Sequence, residues 1–157
     1  MNRKDLRLER NLNEYIEAIG NLSRHDDWWN HFIKIIRCVP TLQSTDLKSV
    51  KHMHEGYEFT VLGNLIFQYT KDLHKRWGDD GKPLRRFLGN LNAQHPQTDF
   101  TPVLTNGLAF HVYSPQTDRT GMITTFETIY GLNLSSPLMT PEQALSDLRG
   151  LFAHCGG

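Results

Sequence analysis

The sequence predicts an α+β fold that is mainly α: a bundle of four to six helices with a small β-hairpin or three-stranded meander before the C-terminal helix. Three observations carry this prediction. Apolar residues recur at spacings of three and four through much of residues 1–92, as one face of a helix with 3.6 residues per turn requires. Asn106-Gly107 stands between two apolar runs, the strongest short-range hairpin signal. Thr140-Pro141 with Gln143 precedes a further apolar stripe, the signature of a capped helix start. The chain of 157 residues fits one domain of the usual roughly 100–200 residues. Its expected organisation is a helical part over 1–92 and a β-containing part with the final helix over 93–157.

The first helix is read over residues 4–22, where Leu8, Leu12, Tyr15, Ile16, Ile19 and Leu22 form one stripe. Arg7, Arg10, Glu14 and Glu17 fall largely elsewhere, as an amphipathic surface helix demands. Asp26-Asp27 then opens a second helix, because carboxylates at a helix start accept orphan amide hydrogens. It ends by Cys38, before Pro40. Residues 40–46 read as a polar connection. Thr45-Asp46 is expected to cap a short helix carrying Leu47, Val50 and Met53, with Gly56 breaking it. Tyr57 to Trp77 reads as a long buried helix through Phe59, Leu62, Leu65, Ile66, Tyr69 and Leu73.

Gly78-Asp79-Asp80-Gly81 reads as a turn or helix stop. Lys82-Pro83-Leu84 restarts a helix, since proline suits a first turn, with Leu84, Phe87, Leu88 and Leu91 as its apolar face. Residues 93–102, with Pro96 and Pro102, read as a loop. Val103 to Tyr113 forms the hairpin, and Ser114 to Gly121 is a second loop. Residues 122–130 fit either period and are read as a third strand on their β-branched content. Leu145, Leu148, Leu151 and Phe152 complete the last helix.

Composition narrows the function. Lys plus Arg is 17 and Asp plus Glu is 17, whereas dedicated nucleic-acid binders carry a basic excess. The charge is polarised along the chain. Residues 71–86 hold six basic groups (Lys71, Lys75, Arg76, Lys82, Arg85, Arg86) against three acids, while residues 93–157 hold two against five. No apolar run approaches the ~18 residues of a membrane span. The basic N-terminus lacks the apolar stretch that a secretory signal needs. The 2 cysteines, Cys38 and Cys155, are far apart. A cytoplasmic protein with reduced thiols is expected.

Eight histidines are present. The densest local set is His52, His54 and Glu55, but on the expected helix residues two apart diverge, so no metal is expected. No Gly-rich phosphate loop, nucleophile elbow or C-x-x-C occurs, and no cofactor is expected. Cys38 at a helix C-terminus sits where the dipole disfavours a thiolate. Arg149 and His154, with four residues between them, resemble the R-x4-H pattern of the HEPN nuclease superfamily, small helical proteins that cleave RNA. The likeness covers six residues, and Gly150 stands where family members commonly carry a polar residue. It implies Arg149 as the group stabilising phosphate charge and His154 as the proton-transfer group of a metal-independent ribonuclease.

Elimination favours a different class. The chain is read as a non-catalytic, cytosolic protein-binding module of the kind that inhibitors, toxin-neutralising immunity proteins and adaptors represent. Exposed Trp and Arg make interface anchors. Trp28, Trp29 and Trp77, with Lys75, Arg76, Arg85 and Arg86 steering approach, are therefore the candidate partner-binding residues. A nucleic-acid binder acting through the 71–86 basic patch is the third reading.

Overall fold

The computed structural model describes residues 3–19, 25–36, 49–70, 77–120, 122–134 and 140–152. Four helices and one six-stranded sheet occupy these residues, so the mainly helical bundle is corrected to an α+β fold built on a large sheet. Helices α1 (Arg3–Ile19) and α2 (His25–Ile36) come first. Strands β1 (Ser49–His54), β2 (Tyr57–Leu62) and β3 (Leu65–Tyr69) follow, then α3 (Trp77–Gln94). Strands β4 (Thr101–Thr105), β5 (Ala109–Thr117) and β6 (Ile123–Asn133) precede α4 (Pro141–Phe152). The strands lie in chain order, with every neighbour antiparallel except β3 and β4. That parallel pair needs a crossover, and α3 provides it.

Where helices are expected over 47–53 and 57–77, the described residues 49–69 form three strands instead, Trp77 begins α3, and residues 47–48 and 71–76 lie outside the described residues. Two tight turns make the difference. In the first, Glu55 and Gly56 both take positive φ, 52° and 85°, as a type I′ hairpin turn requires. In the second, Gly63 with φ 60° takes the first central position between paired Leu62 and Leu65. A helix cannot run through either turn, and the apolar residues around them are re-sorted at period two. Leu65, Phe67 and Tyr69 go to one face of β3 and Ile66 to the other.

The Asn106-Gly107 hairpin is present, joining β4 to β5. Only Gly107 takes positive φ, 95°. Asn106 contributes its side chain instead, whose Oδ1 accepts from the amides of Leu108 (3.0 Å) and Ala109 (2.8 Å). Residues 123–133 are a strand. The start of α4 is capped by Thr140, whose Oγ1 accepts from Gln143 N–H at 3.1 Å. The Gln143 side chain donates forward to Asp147 Oδ1 at 2.8 Å. The expected stop at Gly78–Gly81 is corrected too: these residues are the first turns of α3, and Pro83 lies inside that helix.

Two cores sandwich the sheet. On one face α1, α2 and α4 bury Tyr15, Trp28, Phe32 and Leu148 against Phe67, Phe110 and Leu132. On the other face α3 buries Leu84, Phe87, Leu88 and Leu91 against Phe59, Ile66, Leu104 and Tyr113. No helix among the described residues is long and apolar enough to cross a membrane.

Candidate functional site

Helix α3 buries the i, i+3, i+4, i+7 row that starts at Leu84. The row Lys82, Arg85/Arg86, Gly89, Asn92 consequently lies on another side of the helix. Beside that row stands the tip of the β5–β6 hairpin. The Asp118 carboxylate ties this tip together. Its Oδ1 accepts from Thr120 N–H (2.8 Å), from the Thr120 hydroxyl (2.6 Å) and from Met122 N–H (3.1 Å). Between helix and tip runs an open groove of about 610 Å³, lined by Lys82, Arg85, Arg86, Gly89 and Asn92 on one side and Thr120, Met122 and Ile123 on the other.

The electrostatics of the groove are one-sided. Three cations line it, and none of its described lining residues is acidic. Arg85 donates from Nη1 to the carbonyl of Thr124 at 3.0 Å. A neutral acceptor fixes the guanidinium in place and leaves its charge unbalanced. Arg86 reaches the Glu55 carboxylate at 3.2 Å, and both side chains are about half exposed, a setting in which an ion pair is weak and readily exchanged. Beside Thr120, the opposite wall offers an apolar, adaptable stretch of Ile123 and Met122, the latter at 68% exposure. Thioether side chains suit such surfaces because they repack freely.

The other residues singled out by sequence lie elsewhere. Trp28 is fully buried. It stacks on Phe32 at 5.2 Å and Tyr69 at 5.7 Å between ring centroids, so its indole offers no surface to a partner. Its Nε1–H donates to the Tyr15 hydroxyl at 2.8 Å, and that hydroxyl donates to the Gly107 carbonyl. Trp29 is half-buried against Phe67 and Phe32. Trp77 is the first residue of α3, and its indole lies outside the described side chains. Lys75, Arg76, Cys38, Cys155 and His154 lie outside the described residues.

Arg149 is exposed on α4, and the helical fold implied by the R-x4-H likeness is not this fold. Gly150 beside it has a packing reason. A Cβ there would sit 2.7 Å from Cζ of Tyr130, whose hydroxyl donates to the Asp147 carbonyl at 2.8 Å. Burial, with Asp147 as a second cause, pushes the Tyr130 phenol above its ordinary range.

His52 and His54 lie on a strand and share a face, contrary to the expected helix. Both rings pack on Phe87, at 5.5 and 5.8 Å between centroids. No group of three or more His, Cys, Asp or Glu placed to hold a metal occurs among the described residues.

Of the groove, sequence reasoning found Lys82, Arg85 and Arg86. It missed Gly89 and Asn92, although a helical wheel of α3 aligns them with the cations. It missed Thr120, Met122 and Ile123 because only the crossover brings that hairpin beside α3. Comparison with protein-family models, with curated proteins and with solved structures finds no match. Neither the structure nor these comparisons support the inhibitor or immunity roles expected from sequence.

Proposed function

We propose that this chain is a non-catalytic, cytosolic protein-binding module whose groove between α3 and the β5–β6 tip holds an acidic segment of its partner. One observation carries the reading: Lys82, Arg85 and Arg86 line one groove whose opposite wall carries Met122 and Ile123 beside Thr120. Cations beside an apolar wall suit a peptide that alternates carboxylates with an apolar side chain, because charge guides approach and apolar contact holds the complex. Nucleic acid fits less well. Single strands use aromatic stacking platforms, and the described groove lining has no aromatic ring. The sparse, widely separated cysteines support the cytosolic setting.

The test is fluorescence anisotropy with a labelled acidic peptide carrying a central leucine, run beside a labelled single-stranded oligonucleotide over a salt series. The peptide is expected to bind saturably. The double variant Arg85→Gln/Arg86→Gln should weaken it by about tenfold or more, because hydrogen bonds to charged groups contribute roughly 1.5–3 kcal/mol each. Circular dichroism checks that the variant is folded. No saturable peptide binding at low salt, or equal binding by the double variant, overturns the proposal. Tighter binding of the oligonucleotide with a steep salt slope transfers the groove to phosphate recognition.

A further inference from the structure

We infer that Gly89 is the floor of the groove, and that the bound segment seats a large apolar side chain directly on the bare backbone of α3 there, with a carboxylate on the side of Arg85 and Arg86. This rests on the partner-binding reading above and names the residue class that the groove selects.

A glycine inside a helix is less stable than alanine, because it gives up more backbone freedom and buries nothing. Several other glycines of this chain have a reason within the fold. Gly56 and Gly63 take positive φ in hairpin turns. Gly107 takes φ 95° and is also crowded, its added Cβ falling 2.9 Å from Cγ2 of Ile19. Gly150 makes room for Tyr130.

Gly89 has neither reason. It lies within α3, its backbone is helical, and a Cβ added to it would meet nothing within 4 Å. Space left open at a stability cost, in the middle of a groove, is space for something the chain itself does not supply.

The surroundings say what fits. Arg85 and Arg86 lie about one helical turn, ~5 Å, before Gly89, and Asn92 lies a similar distance after it. Met122 and Ile123 stand on the opposite wall. A leucine-sized or aromatic side chain resting on Gly89 would meet apolar wall on one side. Along an extended peptide, the neighbour on one side would meet the cations one turn before Gly89, and the neighbour on the other would meet the Asn92 amide. An added methyl at 89 fills the space that side chain needs, and a larger group closes it.

The experiment compares Gly89→Ala and Gly89→Leu with the unaltered protein, reading thermal melting and anisotropy of the same labelled acidic peptide. A second peptide has its central leucine replaced by glycine. Gly89→Ala is expected to raise the melting temperature by about 2–4 °C while weakening the leucine peptide several-fold. Gly89→Leu is expected to weaken it by about tenfold or more. The glycine peptide should bind more weakly to the unaltered protein and be insensitive to Gly89→Ala.

A lower melting temperature for Gly89→Ala would reveal a structural reason for the glycine and overturn the inference. So would equal affinity of all three proteins for the leucine peptide. If the arginine double variant loses the peptide while the Gly89 variants keep it, the groove reading stands and the floor inference falls. If no variant changes binding, both fall.

Discussion

On one face of the sheet α1, α2 and α4 together cover Phe67, Phe110, Val112 and Leu132, while on the other face α3 is the single helix among the described residues over Phe59, Ile66 and Leu104. The three-helix face takes in Trp28 and Phe32 and fastens them to the β4–β5 turn through Tyr15. The single-helix face leaves a groove beside its helix, with three cations along one side. Trp28 and Trp29 are expected from sequence to share a binding surface with Arg85 and Arg86, yet the sheet separates them. Large rings are the cheapest way to fill the broad space between a sheet and a helical layer. Cations stay where water or a ligand can reach them.

The comparison breaks most readily at Trp28. Trp28→Ala removes a fully buried indole and is expected to cost about 3–5 kcal/mol, a large share of the roughly 5–15 kcal/mol that holds a typical domain folded. Urea denaturation measures it. A cost below about 1 kcal/mol would mean that the three-helix face is not the main reserve of stability. Peptide binding in the groove, measured on the fraction that stays folded, should be unchanged.

Why the groove was half legible and the sheet scarcely so follows from local against distant information. Helices α1 and α2 were read closely because their stripes are long and their signals lie within one segment. The α3 cations were found because a basic run is visible in sequence. The strands β1–β3 were misread because Leu62, Leu65, Ile66 and Tyr69 fall at spacings of three and four by coincidence. Gly63-Asn64 between two apolar runs was a usable hairpin signal, of the Gly-Asn type. Glu55-Gly56 was a poorer one, since glutamate rarely adopts positive φ. The pairing of β3 with β4 joins residues on either side of α3, and no window of sequence contains it.

Tyr15 sharpens the comparison through pH. Burial is the chief cause that pushes its phenol far above the ordinary range, and the hydrogen bond from Trp28 works against it. The native state therefore keeps the proton, while an unfolded tyrosine releases it near pH ~10. Stability from this group is whole below that pH and declines above it, because the native state then binds more protons than the unfolded state. At neutral pH, Tyr15→Phe should cost about 1–3 kcal/mol, because the Trp28 N–H and the Gly107 carbonyl lose a partner. Above pH ~10 the gap between the two proteins should narrow by up to about 1.4 kcal/mol per pH unit. Urea titrations at a series of alkaline pH values read the gap directly. A constant gap would mean that the Tyr15 phenol is not held neutral by its burial.

The smallest effect belongs to the single-helix face. Glu55 in the β1–β2 turn holds Arg86 at 3.2 Å, and Glu55→Gln removes the charge while keeping a side chain of the same length. Exposed pairs contribute about 0–1 kcal/mol, so the urea midpoint should shift little, and the positive φ of residue 55 makes the same demand on either side chain. Binding should respond more than stability. With its carboxylate partner gone, Arg86 has its full charge available to the groove, and the acidic peptide should bind about two- to threefold more tightly at low salt. High salt should erase the gain, since screening acts on exposed charges first. A large loss of stability with no gain in binding would make Arg86 a structural clasp between α3 and the β1–β2 turn. The cationic side of the groove would then reduce to Lys82 and Arg85.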